Sequence, residues 1–262
     1  MPKIFFILLL CIVAINVYGS SLSDTILGQN PTAYWRFGET SGTTAIDSTG
    51  NGYNGTYTGS YSLNASGAGL DGDTALRVTS GYMTVSVPST PSFTCIVWGK
   101  SATSTWNQHG WLASARYANG FIIHPSAGSQ SVPMYIISNA SGDSYTGLSS
   151  VTPADITQWH QYGISYDYSS KEVKIIQDGQ VAYRDTYTGT RTNSNITIWF
   201  GQDQCEGTRY GNGWVDEASF FNRQLSDSEI LAQYNAVVTI PEASSLLSLS
   251  CFVLFLLWKS RK

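Results

Sequence analysis

Between Ala33 and Phe221, short runs of Val, Ile, Thr, Tyr and Trp alternate with clusters of Gly, Ser, Asn and Asp, and no long helical apolar period interrupts them. Runs this short, closed at both ends by turn residues, bury their apolar side chains by pairing as strands, so the pattern predicts an all-β antiparallel sandwich. The candidate strands are 33–37, 55–57, 75–77, 83–87, 93–100, 110–115, 120–124, 133–137, 159–166, 172–177, 180–185, 196–200 and 213–220. Asp178-Gly179 lies between two of them and predicts a hairpin, because a type I′ turn needs positive φ at both central positions. One helix is expected near the end of the domain. Ser226-Asp227-Ser228-Glu229 has the capping-box spacing, and Ile230, Leu231, Tyr234 and Val237 follow on one face.

The two ends read as addresses. Lys3 precedes the apolar run Ile4 to Val17, which closes on Gly19, Ser20 and Ser21, the order of zones in a secretory signal peptide over residues 1–19. At the other end, Pro241-Glu242-Ala243 leads into an apolar stretch to Trp258 and a basic finish of Lys259, Arg261 and Lys262. A membrane segment is expected there, with its basic end in the cytoplasm and the body outside. Segment 239–262 resembles the PEP-CTERM sorting signal of bacteria that make exopolysaccharide. Pro241 and Glu242 match its first letters, Ala243 stands where that family has a second Pro, and the resemblance implies an exosortase-like protease as partner.

Setting the ends aside removes four of the 14 basic residues and one of the 18 acidic ones, which leaves residues 20–238 with 10 Lys/Arg against 17 Asp/Glu. An acidic body without basic runs argues against nucleic acid, whose phosphates need clustered cations. Cys95 and Cys205 are the only cysteines outside the ends. Export permits a disulfide between them, and two buried free thiols are the alternative.

Four stretches carry a further resemblance: Pro31 to Gly42 with Ala45 to Tyr57; Phe93 to Lys100 around Trp98; Trp159-His160 to Asp167 with Val173 to Gly179; and Gly213 to Ser226 with Glu229-Ile230. In this order they resemble the LamG-like, laminin G type, concanavalin A-like jelly rolls. The resemblance implies a jelly-roll sandwich of two antiparallel sheets with a short C-terminal helix, and binding of sugars, proteins or other surface ligands. It also implies a structural calcium, with Glu39, Asp47 and Asp216 as the candidate carboxylates. The loop Asp47 to Gly52 itself offers the hard oxygen donors that Ca²⁺ prefers, and an Asx-turn with no ion is the alternative reading.

Catalytic patterns are sparse. Glycoside hydrolysis needs two carboxylates flanking one bond, and Asp216-Glu217, adjacent on a strand, are expected to face opposite sides of the sheet. The expectation is therefore a noncatalytic domain that binds carbohydrate or matrix material, with a polysaccharide-degrading enzyme or a structural matrix protein as the rivals. For the ligand platform, the loop-rich segment 101–120 offers Trp106, Trp111 and Tyr117 as stacking faces, with Asn107, His109 and Arg116 as polar partners. Trp35, Trp98, Trp159, Trp199 and Trp214 are assigned to the core.

Overall fold

The computed structural model describes residues 21–69, 73–117, 119–137, 145–205 and 207–238. The expected leader (1–19) and the sorting segment with Pro241 and Glu242 lie outside the described residues. Among the described residues no helix is long and apolar enough to cross a membrane.

The elements run α1 (Leu22–Gly28), β1 (Ala33–Trp35), β2 (Thr44–Ala45), β3 (Gly55–Ser66), β4 (Thr74–Ser89), β5 (Phe93–Ser101), β6 (Ala113–Ala115), β7 (Phe121–Ile123), β8 (Val132–Ile137), β9 (Tyr145–Val151), β10 (His160–Tyr166), β11 (Glu172–Gln177), β12 (Gln180–Thr186), β13 (Ser194–Phe200), β14 (Gly213–Phe221) and α2 (Asp227–Val238). The expected all-β jelly-roll-like architecture with one short C-terminal helix is present. Its two layers, however, belong to one continuous antiparallel ladder, β12-β11-β10-β5-β14-β4-β13-β6-β7-β8-β9.

The reason is β4. Its first half pairs with β14 from Leu76 to Val78, its second half pairs with β13 from Met83 to Ser89, and so one bent strand serves both layers. Strand β3 follows it round the bend, with Gly59 opposite Gly81. A Cβ at Gly81 would lie 2.6 Å from the Ser60 carbonyl, and one at Gly59 2.6 Å from the Ser80 carbonyl, so both positions need glycine for the strands to approach. The sequence reading split this strand into 75–77 and 83–87.

The main core lies between the layers and contains Trp35, Phe37, Val97, Phe121, Ile164, Ile198 and Phe220 among others. A second cluster covers the outer face of β5 and β11, where Leu22 and Ile26 of α1 and Ile230 of α2 pack against Ile96, Trp98 and Ile176. Trp98 stacks on Tyr234 at 5.7 Å with the rings 2° from parallel, a contact worth about 0.5 to 1.5 kcal/mol beyond area burial. The capping box forms as expected. Glu229 N–H donates to Ser226 Oγ at 3.2 Å and Ser226 N–H donates to Glu229 Oε2 at 2.8 Å. Asp178 and Gly179 both take positive φ, 50° and 76°, in the turn between β11 and β12. Helix α1, capped by Ser21 accepting from Asp24 N–H at 3.1 Å, has no counterpart in the sequence reading.

Candidate functional site

The expected stacking platform is not a surface. Trp106 and Trp111 are fully buried, their rings edge-on at 5.5 Å, and Trp106 also meets Tyr162 at 6.3 Å. They are core residues delivered by a loop rather than a strand. Trp106 N–H donates to the Ser129 carbonyl and Gly128 N–H to the Trp106 carbonyl, both at 2.8 Å, which pins the loop under the segment before β8. Asn107 clamps another loop, donating to the Tyr210 carbonyl and accepting from Asn212 N–H, both at 2.9 Å. Tyr117 is exposed but does not line the cavity described below.

The tryptophans assigned to the core divide. Trp35 and Trp98 are buried, whereas Trp159, Trp199 and Trp214 are half-buried. Lys100 Nζ sits 4.8 Å from both the Trp159 and Trp214 ring centres, and the Arg77 guanidinium 4.4 Å from Trp214, a cation–π row across β4, β14 and β5. Trp199 stacks on Tyr82 at 4.4 Å.

Two members of the expected set do meet in a cavity. His109, Arg116, His124, Tyr135 and Arg209 line a space of about 230 Å³. Arg116 follows β6 and is only 7% exposed. Its guanidinium grips Asp203 through Nε to Oδ1 and through Nη2 to Oδ2, the latter at 2.6 Å. Arg209 adds a contact to the same carboxylate at 3.2 Å, and Ser114 Oγ and Cys205 N–H donate to it, each at 3.3 Å. Burial alone would raise the Asp203 carboxyl, but the hydrogen bonds and charge of Arg116, with help from Cys205 N–H and Arg209, hold it below its ordinary range.

Gly110, at φ 67°, backs directly onto Asp203, where a Cβ would collide with Oδ2, so glycine lets the His109 loop close over the carboxylate. His109 Nδ1 accepts from Ala127 N–H at 3.3 Å, which places the ring proton on Nε2. The His109 and His124 rings lie 5.3 Å apart, and His124 meets Tyr135 edge-on at 5.4 Å. Burial, reinforced by the neighbouring Arg116 charge, pushes His124 down to about 4, so it is neutral at physiological pH. The sequence reading missed His124, Tyr135, Asp203 and Arg209, which lie on β7–β8 and in the loop before β14. In a larger and more open hollow of about 480 Å³ beside α2, Lys174 is paired with Asp227, Arg223 with Glu229, and Asp167 accepts from Ser169 and Ser170.

The three expected calcium carboxylates do not form a ligand set. Asp47 is saturated by N–H and O–H donors, from Tyr34 N at 3.1 Å, Thr49 N at 3.0 Å, Thr49 Oγ1 at 2.7 Å and Tyr53 N at 3.0 Å, which is the Asx-turn arrangement. Glu39 accepts from Ile46 N–H at 2.7 Å and Tyr57 O–H at 2.6 Å. Among the described residues no group of three or more His, Cys, Asp or Glu side chains is placed to hold a metal ion. Cys95 is buried in β5 and Cys205 exposed in the loop after β13. Both are free thiols, so no bridge joins them and only one is buried.

Asp216 and Glu217 overturn the expectation of opposite faces. The β5–β14 register shifts between Asp216 and Ser219, and Glu217 takes φ 50°, so a bulge buries both carboxyls on the same side. Asp216 accepts from Ala68 N–H at 2.7 Å, Tyr34 O–H donates to Glu217, and Arg36 pairs with Asp73 and lies 3.7 Å from Glu217. Burial first, then the Asp216 charge, raises Glu217 well above the ordinary carboxylate range. An acid raised in the folded state favours folding most below its unfolded pKa and loses stability as pH climbs toward the folded value. Glu217→Gln, which keeps an acceptor for Tyr34, should therefore flatten this slope. At neutral pH it should also stabilise the protein, because the neutral amide avoids the cost of ionising a buried carboxyl. Urea denaturation at several pH values tests this, and an unchanged slope would refute it.

The family described as the concanavalin A-like lectin/glucanases superfamily matches residues 70–231. No curated protein matches the chain in sequence. Among solved structures, domain 4 of a GH43 extracellular arabinanase from Geobacillus stearothermophilus, solved in complex with arabinotriose, is similar with TM-score 0.60 at 18% identity, covering 78% of this chain and 98% of that one. The binding domain of botulinum neurotoxin DC, in complex with rat synaptotagmin II, gives TM-score 0.61 at 15% identity over 80% of this chain and 52% of that chain, so the chain spans about half its length. At these identities the likeness is one of fold.

Proposed function

The chain belongs to the concanavalin A-like lectin/glucanases superfamily, and from that premise we propose that it is an exported cell-surface or matrix protein whose jelly roll binds a carbohydrate ligand without cleaving it. The observation that carries this reading is the cavity of His109, Arg116, His124, Tyr135 and Arg209, an open polar recess beside β8, with aromatic edges to pack against a ring and directional donors to orient it. The arabinanase domain with its arabinotriose supports the ligand class, and the toxin domain with its synaptotagmin supports binding in general.

Two finer parts of the proposal rest on the sequence of the ends. Residues 1–19 direct export, and residues 239–262 hold the body at the membrane until an exosortase-like protease acts at the Pro241-Glu242 region.

A second reading has one observation in its favour: two imidazoles and a phenol beside two guanidiniums are groups that move protons and neutralise a carboxylate, as a polysaccharide lyase requires. Against it, Asp216 and Glu217 are buried among their own partners, away from the cavity lining. A glycan array is expected to show selective binding by the full chain, while the same polysaccharides release neither reducing ends nor unsaturated products. Release of either would make the protein an enzyme, and an empty array would favour a structural role.

A further inference from the structure

We infer that the outer face of the β5 layer carries a docking surface for an anionic phospholipid bilayer, an inference that rests on reading residues 239–262 as a membrane segment. The surface is a row of four half-buried side chains in register across the sheet, Arg77 on β4, Trp214 on β14, Lys100 on β5 and Trp159 just before β10. Cation and indole alternate along it. The Arg77 guanidinium lies 4.4 Å from the Trp214 ring centre, and Lys100 Nζ lies 4.8 Å from the ring centres of both Trp214 and Trp159.

Neither cation has a counterion among the described residues. Arg77 donates to neutral acceptors, the Val78 and Gly213 carbonyls and Asn212 Oδ1, and Lys100 Nζ has the two indole faces but neither a hydrogen bond nor an ion pair. Burial is the cause that draws both groups below their ordinary pKa values, whereas a neighbouring carboxylate would act in the opposite direction. An indole face attracts a cation but carries no net charge, so the row keeps its two positive charges. Residues 20–238 hold 17 acidic against 10 basic side chains. An anionic surface repels such a body as a whole, and two unpaired cations side by side give it an orientation.

Helix α2 supplies the reason for choosing a bilayer as the occupant. Leu225 N–H donates to Thr94 Oγ1 at 3.0 Å just before the helix, and Tyr234 near its end stacks on Trp98, so α2 and β5 run the same way along this face. Lys100 follows Trp98 by two residues on the same face, about 7 Å at the rise of a strand. Val238, the last residue of α2, follows Tyr234 by four, about 6 Å at the rise of a helix. The helix therefore ends level with the row, and the segment whose apolar stretch reaches Trp258 starts at the next residue. Residues 239–243 span at most about 17 Å when fully extended, so a chain entering a bilayer here keeps the row close to its surface. Indoles and long cationic side chains suit that depth, the rings at the headgroup boundary and the cations on lipid phosphates.

The test reconstitutes the full chain into vesicles of phosphatidylcholine alone and of phosphatidylcholine with about one third phosphatidylglycerol. Lysines are acetylated with a membrane-impermeant reagent and read one by one by peptide mass spectrometry. Lys171, which lies 3.5 Å from the Tyr168 ring centre in the turn between β10 and β11, at the opposite end of the sheet, is the internal reference. The ratio of Lys100 to Lys171 acetylation should fall by about fivefold or more from neutral to anionic vesicles and recover at high salt.

An unchanged ratio in chain that floats with both vesicles would overturn the surface and leave the membrane segment standing. Failure to float with neutral vesicles would overturn the membrane segment. Flotation with anionic vesicles alone, lost in a Lys100→Glu variant of unchanged melting temperature, would then support the row without it, and flotation with neither would overturn both. Protection of Lys100 by polygalacturonate in neutral detergent, without protection by anionic vesicles, would give the row to an acidic glycan and overturn the bilayer.

Discussion

Asp203→Ala should cost the fold about 3 to 5 kcal/mol, the range for removing one partner of a buried ion pair. The Tm should fall by roughly 6 to 20 °C in a domain of this size. Asp203 is fully buried and Arg116 nearly so, and the guanidinium takes both carboxylate oxygens. Removing the carboxylate takes the bidentate acceptor from a buried guanidinium and at the same time breaks the contacts of Ser114, Cys205 and Arg209 with it. Asp203→Asn keeps the shape and isolates the charge, so it should lose less than Ala but most of the pH dependence.

The sign follows from the depressed native pKa: the stabilisation is complete above the unfolded carboxylate value and disappears as pH falls through the lower folded one. The wild-type advantage over Asp203→Ala should therefore narrow in acid. A variant as stable as the wild type at neutral pH would mean that Arg116 is solvated and that the pair does not hold the cavity wall.

What the sequence shows clearly is what is local. The capping box at Ser226 and Glu229, the Asp178-Gly179 turn and most strand positions depend on residues within a few places of one another, and each forms as expected. The cavity is different in kind. Its lining spans 100 residues from His109 to Arg209 and meets only because β13 pairs with β6, β6 with β7 and β7 with β8. Composition could nominate His109 and Arg116 as polar loop residues, but it carried no signal for Tyr135 or Arg209 beside them. Likewise the alternation rule separates Asp216 from Glu217 until a bulge, invisible in spacing, restores them to one side. The half-exposed tryptophans show the limit of period-two reasoning. Alternation says which residues of β14 share a face, but only the placement of α1 and α2 decides that Trp98 is covered while Trp214 stays open to Lys100 and Arg77.

Trp111 puts this distinction to the sharpest test. Trp111→Ala should destabilise the protein by about 3 to 5 kcal/mol, the range for emptying a buried aromatic site, because the lost transfer energy adds to the cost of a cavity that rigid neighbours do not fill. The neighbours here are rigid. A Cβ at Gly211 would lie 2.5 Å from Trp111 Cδ2, and one at Gly213 2.8 Å from Cη2, so the indole occupies the space that two glycines leave beside β14. The edge-on contact with Trp106 at 5.5 Å ties it to a second buried indole, and Gly201 N–H donates to the Trp111 carbonyl at 2.7 Å. Collapse into the void would have to move the end of β13 and the start of β14 together.

Tyr117→Ala, on an exposed loop, should change stability by no more than about 0.5 kcal/mol. Chemical denaturation with near-ultraviolet circular dichroism reads both effects, and the aromatic signal should fall sharply for the tryptophan alone. If Trp111 served instead as a stacking surface for ligand, its removal would leave the melting transition where it is and abolish saccharide binding. That pattern would return the indole to the surface and undo the assignment of the 101–112 loop to the core.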